Sequence, residues 1–272
     1  MKHIIKVASL ANLPETRPLI AMNGEGKLFV EGQAAGPQME FVDLGLSVKW
    51  AKYLYGVNPN QLTTASDWYG KYLMWGELEE KAGWDGQGTL VPYDWANYTR
   101  HTNGTYSSSN KKVFIKYVPT NKSEYWNGTG VPDNLTTLES VDDVASVNYG
   151  GNWRMPTRAE CEELLDTTKV TNVWINNYDP NKLVHNPEDD GGISGLNGRL
   201  FTSISNGNTL FIPAAGYRFG SNIYNVGSYC YLWSSSLYLG NPGRAYYLYF
   251  NSVNISMNSN DRCFGYIVCP VC

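Results

Sequence analysis

The chain has 272 residues, a formal net charge of −4, 42% hydrophobic residues and 14% aromatic residues. This composition is sufficient for a packed core and excludes a wholly disordered chain. The absence of a basic run argues against nucleic acid as the main partner, and no apolar run reaches the roughly 18 residues that a transmembrane helix needs. A chain of this length forms one large domain or two small ones.

Residues 1–38 are predicted to form a separate small β element. The segments HIIKVASL and GKLFVEG are typical of short strands, and AAGPQ at residues 34–38 is predicted to be a linker. Because two or three strands cannot bury a core alone, we expect this element to serve attachment or oligomerisation. No secretion signal is expected, since Pro14 and Glu15 soon follow a short apolar stretch.

Residues 39–272 are predicted to form the second domain. Its first strand is expected within EFVDLGLSVKWAKYL, and Ser66 is a candidate N-cap for a short helix. Residues 83–135 are rich in Gly, Asn, Ser, Thr, Tyr and Trp and show little periodicity. This stretch is therefore predicted to form long, ordered surface loops.

A helix and a hairpin are predicted in the centre of this domain. Thr157 and Glu160 have the spacing of a capping box, so a helix is expected from there to about Thr168. The strands RLFTSI and TLFIPAAGY follow and are joined by SNGN, which is a hairpin signal.

The C-terminal run, residues 216–272, has an unusual composition. It contains nine Tyr, eight Ser, seven Asn and six Gly but no Lys, Glu, Gln, His or Thr. Antibody loops use similar residues for rigid aromatic contacts and adaptable polar contacts. Leu248 and Phe250 alternate with Tyr247 and Tyr249, so one set is expected in the core and the other on the opposite face. The run therefore predicts a recognition surface carried by a rigid scaffold.

The sequence contains few motifs typical of a catalytic or metal site. The three His are scattered, and no phosphate-binding loop or dinucleotide fingerprint is present. NPEDDGG at residues 186–192 could bind calcium or form a solvated acidic turn, and Asp142–Asp143 could ligate an ion or cap a short helix. The terminal C-P-V-C has the spacing of zinc ligands, but no second ligand pair completes a site. The cysteines could have a metal or redox role or could be free thiols. We expect no catalytic residue, no metal and no cofactor.

Several segments in order resemble the paralogous-repeat-type module of surface proteins of gut bacteria and their phages: FVDLGLSVKWA, YGKYLMWGE, YDWANY, LESVDDVASVNYGGNWRMPT, FIPAAGYR and YLWSSS. NWRMPTRAEC matches the W-R-[LM]-P-T-x-A-E motif of the formylglycine-generating-enzyme branch of the C-type lectin fold. The resemblance covers roughly residues 39–272. It implies an α+β, C-type lectin-like fold with long ordered loops.

Within this branch, the C-terminal run is similar to the variable regions of diversity-generating retroelement targets. The resemblance implies scaffold positions at Trp233–Ser236, Ala245, Leu248, Phe250, Met257, Arg262 and Gly265. It implies variable positions at Tyr224, Tyr229, Tyr231, Tyr247, Tyr249, Ser256, Asn258, Asn260, Asp261 and Phe264. The chain departs from the family in having Cys269, rather than Arg, before the final Pro-Val.

The ligand-contacting residues are expected to be these ten variable positions together with Tyr238 and Tyr266. The resemblance implies a phage tail receptor-binding protein in the virion, which recognises a host cell-surface protein or glycan and forms a homotrimer through residues 1–38. The alternative is a bacterial surface or secreted module with a fixed glycan or protein ligand. A third hypothesis is an oxidase of the formylglycine-generating type. A fourth is that the tyrosines only pack against a neighbouring domain or subunit.

Overall fold

The structure is a computed structural model that describes residues 39–81 and 91–272, together with the backbone of residues 19–22 and 28–31. The chain divides into two compact units, Met1–Met39 and Glu40–Cys272. No helix among the described residues is long and apolar enough to cross a membrane.

The first unit contains an antiparallel hairpin of β1 (Leu19–Met22) and β2 (Leu28–Glu31). Strand β2 lies within the predicted GKLFVEG strand, whereas LIAM was not predicted as a strand. The predicted HIIKVASL strand and the AAGPQ linker lie outside the described residues. The attachment or oligomerisation role of this unit stays a prediction.

The second unit is built from small antiparallel sheets with few helices, so its class is α+β. The sheets pair β3 with β4, β5 with β6 and β7, β8 with β9, and β10 with β11 and β12. The strand bounds are β3 Phe41–Val42, β4 Trp50–Ala51, β5 Val170–Ile175, β6 Gly198–Ser203, β7 Thr209–Pro213, β8 Tyr217–Phe219, β9 Asn222–Tyr224, β10 Cys230–Leu237, β11 Arg244–Phe250 and β12 Ile255–Asp261.

The predicted hairpin is confirmed, since β6 and β7 pair antiparallel across the SNGN turn. The predicted single strand in EFVDLGLSVKWAKYL is instead two short strands, β3 and β4. Gly45 separates them with φ 69°, and the Asp43 carboxylate accepts a hydrogen bond from the Gly45 N–H at 2.9 Å. This local turn interrupts the extended conformation that the alternation favours.

Two α-helices are described, α1 (Val144–Tyr149) and α2 (Arg158–Glu163). Asp143 caps α1 by accepting hydrogen bonds from two backbone N–H groups, and Thr157 and Glu160 complete the predicted capping box of α2. Helix α2 is shorter than predicted and ends at Glu163. A 3₁₀ turn covers Ala65–Trp68, and its N-cap is Thr64 rather than Ser66. A second 3₁₀ segment covers Thr120–Tyr125.

The loops at residues 91–135 are ordered by buried aromatic rings. Tyr98, Phe114 and Tyr117 are all fully buried, although the sequence predicted surface loops here. The Asp133 carboxylate accepts hydrogen bonds from the N–H groups of Tyr117 (2.7 Å) and Val118 (3.0 Å), which fixes the loop backbone. Residues 83–90 of this predicted loop region lie outside the described part of the chain.

Candidate functional site

The β10–β11–β12 sheet brings the predicted contact residues of the C-terminal run together. In its register Tyr231 lies opposite Tyr249, Tyr249 opposite Ser256, and Tyr247 opposite Asn258. Directly paired residues of antiparallel strands project from the same face. One face of the sheet therefore carries these side chains side by side.

Rings from neighbouring segments extend this surface, which we call the tyrosine face. We define it by Tyr217, Tyr224, Tyr229, Tyr231, Tyr247, Tyr249, Ser256, Asn258, Asn260, Phe264 and Tyr266. The ring of Tyr231 lies at its centre, with ring centroids of Tyr217 at 4.8 Å, Tyr266 at 5.2 Å and Tyr249 at 5.5 Å. Such aromatic contacts hold each ring in a defined orientation.

Asparagine amides fix the hydroxyl groups of this face. The Asn225 amide donates to the Tyr231 hydroxyl at 3.1 Å, and the Asn251 amide donates to the Tyr249 hydroxyl at 3.1 Å. A phenol that accepts a hydrogen bond retains its own O–H for donation. The face therefore presents oriented hydroxyl donors on rings that are already packed, which reduces the entropy lost on binding.

Two of the predicted contact residues are buried. Tyr247 is 6% exposed and Tyr266 is 1% exposed, so the expectation of outward rings is wrong at both. The Tyr266 ring lies 4.3 Å from that of Trp233 and 4.9 Å from that of Tyr247. These two tyrosines form the floor beneath the exposed and half-buried rings of the face.

Two other predicted residues lie off the tyrosine face. Tyr238 packs against Tyr246, with ring centroids 5.4 Å apart. Asp261 lies opposite Arg244 in the register, and its carboxylate is 3.4 Å from the Arg244 Nε. Asn260 and Asp261 are adjacent in an extended strand, so they project from opposite faces. Asp261 and Tyr238 therefore lie apart from the other predicted contact residues, and their contact with a ligand stays a prediction.

Of the β8–β9 hairpin, only Tyr224 was predicted from the sequence as part of the site. The hairpin exposes Phe219 and Ile223, and Phe219 stacks on Phe264 with centroids 4.5 Å apart. Gly216 allows the hairpin to fold back at this position. Its φ is 68°, and an added Cβ would lie 2.1 Å from the Tyr224 carbonyl oxygen. Glycine immediately before the Tyr-Arg-Phe alternation is the sequence signal that could have located this hairpin.

No residue that defines the tyrosine face is acidic or basic. The nearby Arg218 guanidinium lies 3.8 Å from the Glu80 carboxylate, and Arg244 is paired with Asp261. Burial raises the pKa of Tyr231 to about 12 and also raises the pKa of Tyr247. These hydroxyls are therefore neutral at physiological pH and act as hydrogen-bond donors.

The acidic loop, NPEDDGG at residues 186–192, contains three carboxylates, and one of them has a structural role. Asp190 is fully buried, and it accepts hydrogen bonds from the Asp179 N–H (2.8 Å) and from His185 Nδ1 (2.8 Å). Burial opposes ionisation, but these bonds outweigh it and lower the pKa of Asp190. The interpretation as a solvated acidic turn therefore holds for the exposed Asp189 and not for Asp190.

Most of the cysteine thiols are buried in the core. Each of the five cysteines is a free thiol, and only Cys272 is not fully buried. Burial raises the pKa of Cys161, Cys230 and Cys269, which keeps their thiols protonated. Within residues 39–81 and 91–272, no three His, Cys, Asp or Glu side chains converge as a metal site would require.

Comparison of the chain with protein-family models, with curated proteins and with solved structures found no match.

Proposed function

We propose that this chain is a receptor-binding protein of a phage tail, which recognises a host cell-surface molecule through the tyrosine face. The observation that carries the proposal is a contiguous, uncharged surface of oriented tyrosine and asparagine side chains on a buried β scaffold. Binding surfaces rich in Tyr, Ser and Asn obtain large contact area at low conformational cost.

We propose further that residues 39–272 have a C-type lectin-like fold. Small antiparallel sheets, two short helices and long ordered loops support this assignment, as does the capping box in the NWRMPTRAEC motif. The fold by itself implies no ligand, because one fold can carry unrelated binding functions.

The burial pattern of the C-terminal run supports a diversified binding surface. Trp233, Ala245, Leu248, Phe250 and Arg262, which the resemblance implies are scaffold positions, are fully buried. Most of the implied variable positions lie together on the tyrosine face. Substitution at those of them that are half-buried or exposed changes the ligand surface with little cost to the core, whereas substitution at the buried Tyr247 or at buried apolar scaffold positions creates cavities or strain.

Cell binding tests the proposal with a matched pair of variants. Tyr249→Ala removes a half-buried ring of the tyrosine face, and Tyr238→Ala removes a half-buried ring that lies off it. The labelled full chain is added to a panel of intact gut bacterial isolates, and cell fluorescence is measured. We expect binding to a subset of isolates, weakened about tenfold or more by Tyr249→Ala and unchanged by Tyr238→Ala.

Two outcomes would contradict the proposal. If the chain binds to no isolate, the proposed cell-surface function is rejected. If both variants lose binding equally, the tyrosine face is not the contact surface. Mass spectrometry of purified virions tests the proposed location separately. Detection of the chain in the cell envelope instead would favour the bacterial surface module with a fixed ligand.

Sequencing of related isolates tests the diversified form of the proposal. We expect amino-acid differences to concentrate on the tyrosine face and to avoid the buried scaffold. A template repeat beside a reverse-transcriptase gene would accompany them. Synonymous changes spread evenly over residues 216–272 would reject diversification while leaving receptor binding open to the cell assay.

A further inference from the structure

His101 is a buried histidine within the loops of residues 98–142. The residue is 3% exposed, and its Nε2 has no hydrogen-bond partner among the described residues. Its ring meets the Tyr117 ring edge-on, with centroids 5.0 Å apart, and Gly76 lies so close that an added Cβ would be 3.0 Å from Nε2. The imidazole is therefore screened from the water that would hydrate its charged form.

Asp142 is the carboxylate that faces His101, but other donors already occupy it. Its Oδ1 accepts hydrogen bonds from Arg100 Nη2 at 2.8 Å and Nε at 3.1 Å. Its Oδ2 accepts from Lys116 Nζ and from the Tyr117 hydroxyl, each at 2.5 Å. His101 Nε2 lies 3.8 Å from Oδ1, which is too far for a hydrogen bond. A proton on Nε2 would therefore compete with Arg100 for this oxygen.

Cations outnumber anions among the groups that surround His101. We define the His101 cluster by these titratable residues and His101 itself: Arg100, His101, Lys116, Tyr117, Asp142 and Arg262. Two of the cations share Asp142. The third, Arg262, is fully buried, and its Nε and Nη1 have no hydrogen-bond partner among the described residues.

Two further carboxylates in this region also have cation partners. Lys116 Nζ lies 2.5 Å from the exposed Glu139 carboxylate, and Lys81 Nζ lies 3.1 Å from the buried Glu77 carboxylate. A proton on His101 would add a buried positive charge without an anion of its own. Such a charge is costly, because the energy lost on removing it from water is not recovered.

These surroundings hold the pKa of His101 well below its ordinary value. Burial is the largest cause, and the three cations of the cluster act in the same direction, while the Asp142 carboxylate opposes them in part. In an open state the ring meets water, and its pKa returns to about 6.5. The stability of the closed cluster is therefore complete above about pH 6.5 and is lost as the pH falls below that value.

The His101 cluster connects the loops to the segment after β12. The His101 carbonyl accepts a hydrogen bond from the Ile115 N–H at 3.0 Å, and Arg262 Nη2 donates to the Tyr117 carbonyl at 2.7 Å. The chain then runs from Arg262 to Tyr266, which lies in the floor of the tyrosine face. Opening of the cluster would release both contacts and loosen the loops from this segment.

We propose that His101 is an acid-sensitive switch, which keeps the His101 cluster closed while its imidazole is neutral and favours opening of the cluster when the imidazole gains a proton. The inference rests on the packing of the loops against Arg262. It is independent of what the tyrosine face binds.

Amide hydrogen exchange of the full chain at pH 7.5 and pH 5 tests the inference. The opening constants of the Ile115 and Tyr117 amides are obtained after correction for the pH dependence of intrinsic exchange. His101→Gln keeps a polar side chain but cannot titrate. Because each pH unit below about 6.5 favours the protonated open state tenfold, we expect the opening constant to rise about thirtyfold more in wild type than in this variant.

The comparison of the two proteins cancels the titration of other buried groups, such as Glu77 and Asp143, whose pKa values burial raises. Glu160→Gln is the matched control. The pKa of Glu160 is lowered, so its titration lies below about pH 5 and this variant should retain the wild-type rise. A rise in wild type within about threefold of that in His101→Gln would overturn the inference, and a larger excess would support it.

NMR of the wild-type chain gives a second test that needs no variant. The His101 Cε1–H resonance, assigned through the backbone, should not titrate in the folded protein between pH 7.5 and pH 5. A titration midpoint near 6.5 would show that the closed cluster accepts the proton, and the inference would be wrong. This measurement decides the question if His101→Gln does not fold.

Discussion

The side-chain amide of Asn225 donates a hydrogen bond of 3.1 Å to the hydroxyl of Tyr231, whose ring lies at the centre of the tyrosine face. The same asparagine has a left-handed backbone with φ 61°. One residue therefore both turns the chain after β9 and orients the central ring, and asparagine suits both tasks because it tolerates this conformation better than most residues.

Two substitutions separate these roles of Asn225. Asn225→Gly removes the amide but keeps the left-handed turn, so we expect a loss of only about 0.5–1 kcal/mol in the free energy of unfolding. Asn225→Ala also strains the backbone and should cost about 1 kcal/mol more. Urea unfolding of both variants measures the difference. Equal stability of the two would show that the backbone conformation at residue 225 is not strained for alanine.

Tyr247 and Tyr249 are predicted to respond differently to truncation although they share one face. Tyr247→Ala empties a buried site and should destabilise the fold by about 3–5 kcal/mol, as large-to-small changes of buried aromatic residues do. Tyr249→Ala removes a half-buried ring and should cost about 1 kcal/mol. Thermal and urea unfolding measure both. Comparable losses would mean that Tyr249 belongs to the core and is unsuitable as a binding probe.

Arg262 is a fully buried guanidinium held by aromatic rings. Its Cζ lies 4.8 Å from the ring centroids of both Trp75 and Phe114, and its Nη2 donates to the Tyr117 carbonyl at 2.7 Å. Nε and Nη1 have no hydrogen-bond partner among the described residues. A buried cation of this kind is costly, and apolar residues of similar volume often replace it without loss.

We therefore expect Arg262→Met to change the free energy of unfolding by less than about 1 kcal/mol. Arg262→Lys should be less stable than Arg262→Met by about 1–3 kcal/mol, because an ammonium is more strongly hydrated and cannot stack as a planar group. Urea unfolding compares the three proteins. If Arg262→Met proves much less stable than Arg262→Lys, the positive charge itself is required.

The capping box of α2 predicts part of the acid sensitivity of the fold. Glu160 receives hydrogen bonds from Arg154 Nη1 (2.8 Å) and from the Thr157 N–H (2.7 Å). Partial burial opposes ionisation, but these bonds outweigh it and lower the pKa of Glu160. The stabilisation is therefore present above the ordinary glutamate pKa and is lost as the pH falls through the lowered value.

Between about pH 5 and pH 3 we expect the wild-type chain to lose more stability than Glu160→Gln, which cannot titrate. Near pH 7 the variant should be less stable than wild type. Unfolding midpoints measured across this pH range provide the comparison. Glu162→Gln is a suitable control, because Glu162 forms a more exposed pair with Arg158 and should change the slope less. Parallel curves for wild type and Glu160→Gln would reject the assignment.

Local signals in the sequence were sufficient for several elements. Thr157 and Glu160 located the start of α2, and SNGN located the β6–β7 turn, because caps and hairpin turns depend on residues adjacent in the chain. Ser66 failed as a cap because the neighbouring Thr64 occupies that position, with the Asp67 carboxylate accepting a hydrogen bond from its N–H at 2.7 Å. Which of two nearby residues caps a helix depends on side-chain hydrogen bonds that the sequence pattern does not reveal.

The alternation in β11 was enough to separate Tyr247 and Tyr249 from Leu248 and Phe250, because successive side chains of any extended strand point to opposite faces. The sequence by itself thus determined which residues share a face. Only the tertiary structure decided that Tyr247 is covered while Tyr249 is partly open. The covering ring, Tyr266, comes from the bridged segment after β12, which pairs with Leu73, and lies 4.9 Å from Tyr247. Strand periodicity determines the face of the strand from which each side chain projects. Burial of that side chain depends on which other segments pack against the face.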